Sequence, residues 1–107
     1  MSGTLLVVAG EDSGDLHGAE LLRELKARRP GLRIVGVGGA RMSPFLDRKL
    51  ADVKELAVVG FVEVIKHLPA LNRLFKAILA TAEEESIEAA LLIDYPGFNL
   101  RLAKALR

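Results

Sequence analysis

The sequence contains no cysteine, which excludes disulfides, thiolate metal sites and a cysteine nucleophile. It also lacks an excess of charge of either sign: 15 Lys and Arg stand against 14 Asp and Glu, for a net charge of +1. No Lys/Arg cluster is dense enough to suggest a nucleic-acid partner. Long hydrophobic runs are missing as well. The longest, Leu56 to Val62, falls far short of the ~20 residues of a membrane-spanning helix. The opening Met1-Ser2-Gly3-Thr4 has no basic segment, and the apolar run behind it is too short for a secretory signal. Any membrane contact is therefore expected to be peripheral.

What is present has the balance of a folded domain: 107 residues, half of them hydrophobic and 27% charged. That length supports one modest core. Thr4 to Ala9 is a continuous apolar run with β-branched content, the pattern of a strand buried on both faces. From Asp15 to about Arg29 the period becomes helical, with Gly18, Leu21, Leu22 and Leu25 on one stripe, and Pro30-Gly31 ends it. Arg33 to Val37 reads as a second strand, closed by Gly38-Gly39. Residues 40–55 suggest only a short helical turn and then a short extended piece.

Helical period returns over Val58, Phe61, Val62 and Ile65 and ends near Leu68. Pro69 then fits the first position of another helix, with Leu71, Leu74, Phe75, Ile78, Leu79 and Ala82 as its stripe. Ala89 to Ile93 is a third strand, and a last helix is expected from Phe98 or Asn99. Alternating strands and helices imply βαβ units, and so an α/β, Rossmann-like, doubly wound parallel sheet. Three evident strands make a small sheet, and no helix stop follows the stripe of Leu102, Ala103 and Leu106. The chain is thus expected to stop inside a domain.

In such a sheet, ligands gather beyond the carboxyl ends of the strands. Three loops lie there: Gly10 to Asp15, Gly38 to Met42 and Asp94 to Asn99. The first is neither a P-loop nor a G-x-G-x-x-G fingerprint, since its glycines fall at 10, 14 and 18. Its free N–H groups suit an oxyanion or a hydroxyl, but Glu11, Asp12 and Asp15 would repel a bare phosphate, which favours a neutral polyol. The plainer reading is a turn with Ser13 or Asp15 as helix cap. Arg41 is either a solvated side chain or a phosphate ligand. Asp94, at a strand tip, is either a partly desolvated general base or the start of a Pro-Gly turn, with Asn99 as a cap. His17 and His67 stand alone, without metal-ligand spacing. Leu56 to Ile65 is apolar nearly all round and reads as core. Its alternative is an acyl-chain or membrane face, with Lys66, His67, Arg73 and Lys76 nearby for anionic headgroups.

Four motifs carry a resemblance. V-A-G-E-D-S-G-D-L-H-G-A-E-L-L at 8–22 resembles the A-G-E-x-S-G-D opening of the lipid A disaccharide synthase family. V-G-V-G-G-A-R-M at 35–42 is similar to its G-x-G-G-x-R-M, and E-L-A-V-V-G-F-V-E-V-I at 55–65 to its E-L-A-V-M-G-x-V-E-V-L. I-D-Y-P-G-F-N at 93–99 resembles its I-D-x-P-D-F-N. The four come in family order. The second Asp of the last motif is Gly97 here, the usual Pro of the second is Ala40, and residues 43–54 follow the family poorly.

The resemblance implies a GT-B glycosyltransferase, of which residues 1–107 form part of the N-terminal, acceptor-side domain. The donor-binding C-terminal domain would be absent. The implied reaction moves a diacylglucosamine from UDP to the 6-hydroxyl of diacylglucosamine 1-phosphate with inversion, in lipid A biosynthesis, with no metal or other cofactor. The implied location is cytoplasmic, peripheral to the inner face of the inner membrane. By motif, Asp94 is the first choice as base, with Glu11 as a second catalytic position. Ser13, Gly14, Asp15, Arg41 and Asn99 are the expected substrate-binding positions. Alone, the chain is expected to be inactive and marginally stable. The alternative is a non-catalytic Rossmann- or flavodoxin-like module that binds a nucleotide or a partner.

Overall fold

A computed structural model of the chain describes residues 3–56, 70–93 and 96–107. Strand β1 (Thr4–Ala9) leads into helix α1 (Asp12–Arg28), and β2 (Arg33–Gly38) follows. A 3₁₀ turn at Ser43–Phe45 precedes β3 (Arg48–Asp52). Next come α2 (Ala70–Glu85), β4 (Ala89–Ile93) and α3 (Pro96–Leu106). The strands form one sheet in the order β3-β2-β1-β4, and every pairing is parallel.

Why β1 is apolar throughout is clear from its place in the middle of this sheet. Side chains alternate between faces along a strand. Val7 and Ala9 join Leu22 of α1, Ile34, Met42 and Val53 on one side. Leu6 and Val8 join Val35, Val37, Ile78 of α2 and Leu102 of α3 on the other. Both faces are covered by helices, so neither set of β1 residues can be polar. Each large side chain so enclosed contributes about 1.5–3 kcal/mol. Arg101 of α3 stacks over the Phe75 ring of α2, 5.0 Å from its centroid, which joins the two helices on that side.

The structure changes several local expectations. β3 adds a fourth strand, where the sequence showed only a short extended piece. Its Arg48-Lys49-Leu50-Ala51-Asp52 lacks an apolar run: it lies at one edge of the sheet, where Arg48 pairs with Glu85 and Lys49 with Asp52. Helix α1 starts at Asp12, not Asp15, directly after an extended Glu11, and Asp12 and Asp15 in its first turn suit the positive end of its dipole. Leu21 is 42% exposed, so the buried face of α1 runs through Asp15, Gly18 and Leu22 instead. Helix α3 begins at Pro96, which needs no N–H partner there, and this puts Asn99 within the helix rather than at its cap. The helical segment expected from Val58 to Leu68 and the expected helix start at Pro69 lie outside the described residues. The stripe of α2 holds: Ile78 and Ala82 are buried, and Leu74, Phe75 and Leu79 are partly so.

At the amino ends of β2 and β3, the Glu85 carboxylate accepts two hydrogen bonds from Arg33, at 2.8 and 3.1 Å, and one from Arg48 at 3.1 Å. Arg33 first, and Arg48 second, hold Glu85 down from the ordinary 4.5 to about 2. A depressed folded-state value means that the stability it adds is fully present above about pH 4.5 and is lost as pH falls towards 2. Glu85→Gln should therefore flatten the acid-unfolding curve across that window and leave its neutral-pH shape alone. Superimposable acid curves for the two proteins would show that this cluster is energetically silent.

Candidate functional site

The cleft lies at the other end of the sheet, at the carboxyl ends of β1, β2 and β3. It has a volume of about 440 Å³. The first turn of α1 forms one wall with Asp12, Ser13 and Leu16, and Ala40 and Arg41 form another. The third wall is the segment just after β3, with Asp52, Val53 and Lys54.

Two of these walls are tied together by one side chain. Asp15 is only 5% exposed. Its Oδ1 accepts hydrogen bonds from the backbone N–H of Gly39 at 2.7 Å and of Met42 at 3.0 Å, and its Oδ2 from that of Arg41 at 3.1 Å. The loop is braced from within as well: the N–H and hydroxyl of Ser43 both donate to the Gly39 carbonyl, at 3.0 and 2.8 Å. Beneath it Met42 is fully buried. Gly18 allows α1 to come down on this methionine, since a Cβ there would stand 2.7 Å from Met42 Sδ and 3.1 Å from Ile93 Cδ1.

On the third wall, Lys49 Nζ donates to Ser43 Oγ at 2.7 Å and to Asp52 Oδ2 at 2.8 Å. The N–H of Lys54 donates to Asp52 Oδ1 at 2.9 Å. The hydrogen bond from Lys49, and then that from the Lys54 backbone, hold the Asp52 carboxyl below its usual range. Asp52 is thus a paired carboxylate. The Arg41 side chain is exposed and forms no ion pair among the described residues. No group of three or more His, Asp or Glu side chains among those residues is arranged to hold a metal ion.

The cleft thus gathers some of the residues named from sequence and leaves others out. Ser13, Asp15 and Arg41 line it, and Gly14 is buried beside them in the first turn of α1. Glu11 is exposed at the N-cap position of α1 and makes no side-chain cap bond. Asn99 is buried within α3 and is not among the lining residues. His17 is exposed on α1 and also lies off the cleft. Asp94 and His67 lie outside the described residues. Asp52 and Lys54 escaped the sequence reading because no motif or apolar period marks them; only the edge position of β3 brings them to the cleft. Fewer than three acidic side chains of the first loop are left to repel a phosphate in the cleft. Asp15 is committed to three backbone N–H groups, and Glu11 lies outside the lining.

Residues 5–107 match the sequence profile of a family described as lipid-A-disaccharide synthetase. The chain is 46% identical over 103 residues to the lipid-A-disaccharide synthase of Myxococcus xanthus (strain DK1622), covering 96% of this chain and 27% of that protein. It is 42% identical over 106 residues to the synthase of Geobacter sulfurreducens (strain ATCC 51573 / DSM 12127 / PCA), covering 99% and 28%. With the synthase of Haemophilus influenzae (strain PittGG) the identity is 41% over 104 residues, covering 97% and 27%. The chain spans little more than a quarter of the length of these relatives.

Proposed function

Because the chain belongs to the lipid-A-disaccharide synthetase family, we propose that it supplies the acceptor-side part of a GT-B hexosyltransferase. The reaction takes a diacylglucosamine from its UDP carrier to the 6-hydroxyl of diacylglucosamine 1-phosphate and inverts the sugar carbon. The observation that carries this reading is the family match across 5–107, joined to a parallel sheet whose first two motif loops meet at one cleft.

Inversion needs a single displacement, so one base must take the proton of the attacking hydroxyl as the bond to the anomeric carbon forms and UDP leaves. One positioned carboxylate is enough for that step. We assign it to Asp94. The supporting observation is that Ile93, the residue before it, is in register with Ala9, the residue before Gly10 of the first loop. Glu11 and Ser13 carry over as positions that act on the acceptor, Gly14 and Asp15 as the frame of the first loop, and Asn99 as a further substrate-side position. Arg41 is the natural partner for the acceptor phosphate, being a cation at the cleft with no ion pair among the described residues. The nucleotide of the donor would be held by a second domain beyond these 107 residues. Acyl chains on both substrates would bring the enzyme to a membrane surface as a peripheral protein, in the family reading at the cytoplasmic face of the inner membrane. No helix among the described residues is long and apolar enough to cross a membrane.

The complete enzyme, given UDP-diacylglucosamine and diacylglucosamine 1-phosphate, should release UDP and form a β-1,6-linked disaccharide. Residues 1–107 alone should do neither. Transfer by the 107-residue chain alone would overturn the division of labour, and UDP binding by that chain would favour a nucleotide-binding module instead.

A further inference from the structure

We propose that Asp15 is a positioning residue: it holds the 39–42 loop in the shape that presents Arg41 to the acceptor, and it does not touch substrate. The inference rests on the glycosyltransferase reading above. Three backbone N–H groups of one loop, from Gly39, Arg41 and Met42, converge on a single carboxylate. Such a convergence is an anion-binding concavity. Here it is filled from within, by a carboxylate 5% exposed, so no substrate phosphate can use those N–H groups. What the loop still offers the cleft is the Arg41 side chain, whose direction is set by the Arg41 peptide unit that Asp15 holds.

The two carboxylate oxygens divide the work. Oδ1 takes Gly39 and Met42, and Oδ2 takes Arg41 alone. An asparagine can keep its one oxygen at the Oδ1 place and so retain the bonds from Gly39 and Met42. Its NH₂ then faces the Arg41 N–H, donor against donor. Asp15→Asn therefore frees the peptide that carries Arg41 while the rest of the loop stays anchored. Gly39→Ala injures the same clamp from the opposite side. Its Cβ would stand 2.5 Å from Asp15 Oδ2 and 3.0 Å from the buried Val53 Cγ2, so Asp15 can give way only by stretching or breaking its hydrogen bonds to the loop.

The test uses the complete enzyme with diacylglucosamine 1-phosphate as the varied substrate. Asp15→Asn and Gly39→Ala should each raise the acceptor KM about tenfold and leave kcat within about threefold, the pattern of lost binding rather than lost chemistry. Added to Arg41→Gln, Asp15→Asn should raise KM no further, because both act through one side chain. Amide exchange should quicken at Arg41 in Asp15→Asn and stay slow at Gly39 and Met42. A residue with a merely structural role would lower the melting temperature without this split. If Asp15→Asn does not fold, Gly39→Ala carries the same prediction. An unchanged acceptor KM in either folded variant overturns the inference alone, as does a full additive effect on top of Arg41→Gln. A fall in kcat at constant KM overturns it too, since Asp15 would then act in the chemistry. A wild-type enzyme without transfer overturns the functional reading, and the inference with it.

Discussion

Asp94→Asn in the complete enzyme is expected to lower kcat by about 10²–10⁴-fold while the acceptor KM stays within about threefold. Asparagine keeps the size of the side chain and one of its acceptors, so binding and folding have little reason to change. What it cannot do is take a proton. In the reaction proposed above the alternatives are narrow, because an inverting displacement has a single place for a base, on the acceptor side of the sugar. Steady-state assays of UDP release would measure both parameters, and unfolding of the variant at the wild-type temperature would show that the fold is intact. Turnover within threefold of wild type would remove Asp94 from the mechanism and turn attention to Glu11. A KM that rises with kcat unchanged would make Asp94 an acceptor ligand instead.

Gly36→Ala is expected to be the most damaging glycine-to-alanine change among the described residues. Gly36 sits in β2 between β1 and β3, where the register with β3 shifts between Gly36 and Val37. Its φ of 156° turns the hydrogen that a side chain would replace into the backbone of β1, and a Cβ there would run into the Val7 carbonyl. Backbone in the middle of a sheet cannot swing aside as a side-chain end can. The β1–β2 ladder would have to part, at a cost of roughly 3 kcal/mol or more. A domain of this size has about 5–15 kcal/mol in total. The fitting control is Gly3→Ala, whose Cβ would meet only the Glu88 carboxyl, 2.7 Å away at the far end of a flexible side chain. Urea unfolding should show a large drop in midpoint for Gly36→Ala and a drop of less than about 0.5 kcal/mol for Gly3→Ala. Equal midpoints would show that the sheet adapts at Gly36.

The difference between those two glycines bears on how much of the protein was legible beforehand. Gly36 stood in the sequence as one residue of a short strand, with nothing to mark it as intolerant of a methyl group. The carbonyl that forbids the methyl comes from Val7, which pairs with it only once β1 and β2 are side by side. Asp15 was named from its motif among the substrate-binding positions. That its oxygens face the 39–42 loop follows from a contact across 24 to 27 residues of chain. Leu21 looked like part of a buried stripe because it is apolar and three residues from Gly18. The helix phase, set by Leu22 against Val7, Ala9 and Ile34, turns it outward.

By itself the sequence determined the parallel α/β class, the strands that became β1, β2 and β4, and the family. These rest on local periods and contiguous motifs, which neighbouring residues carry whatever the rest of the chain does. Only the tertiary structure decided that β3 pairs with β2 at one edge of the sheet, that Asp52 and Lys54 reach the cleft, and that Asp15 clamps the second loop. Each of these depends on which distant segments lie side by side, and the distance along the chain holds no record of that.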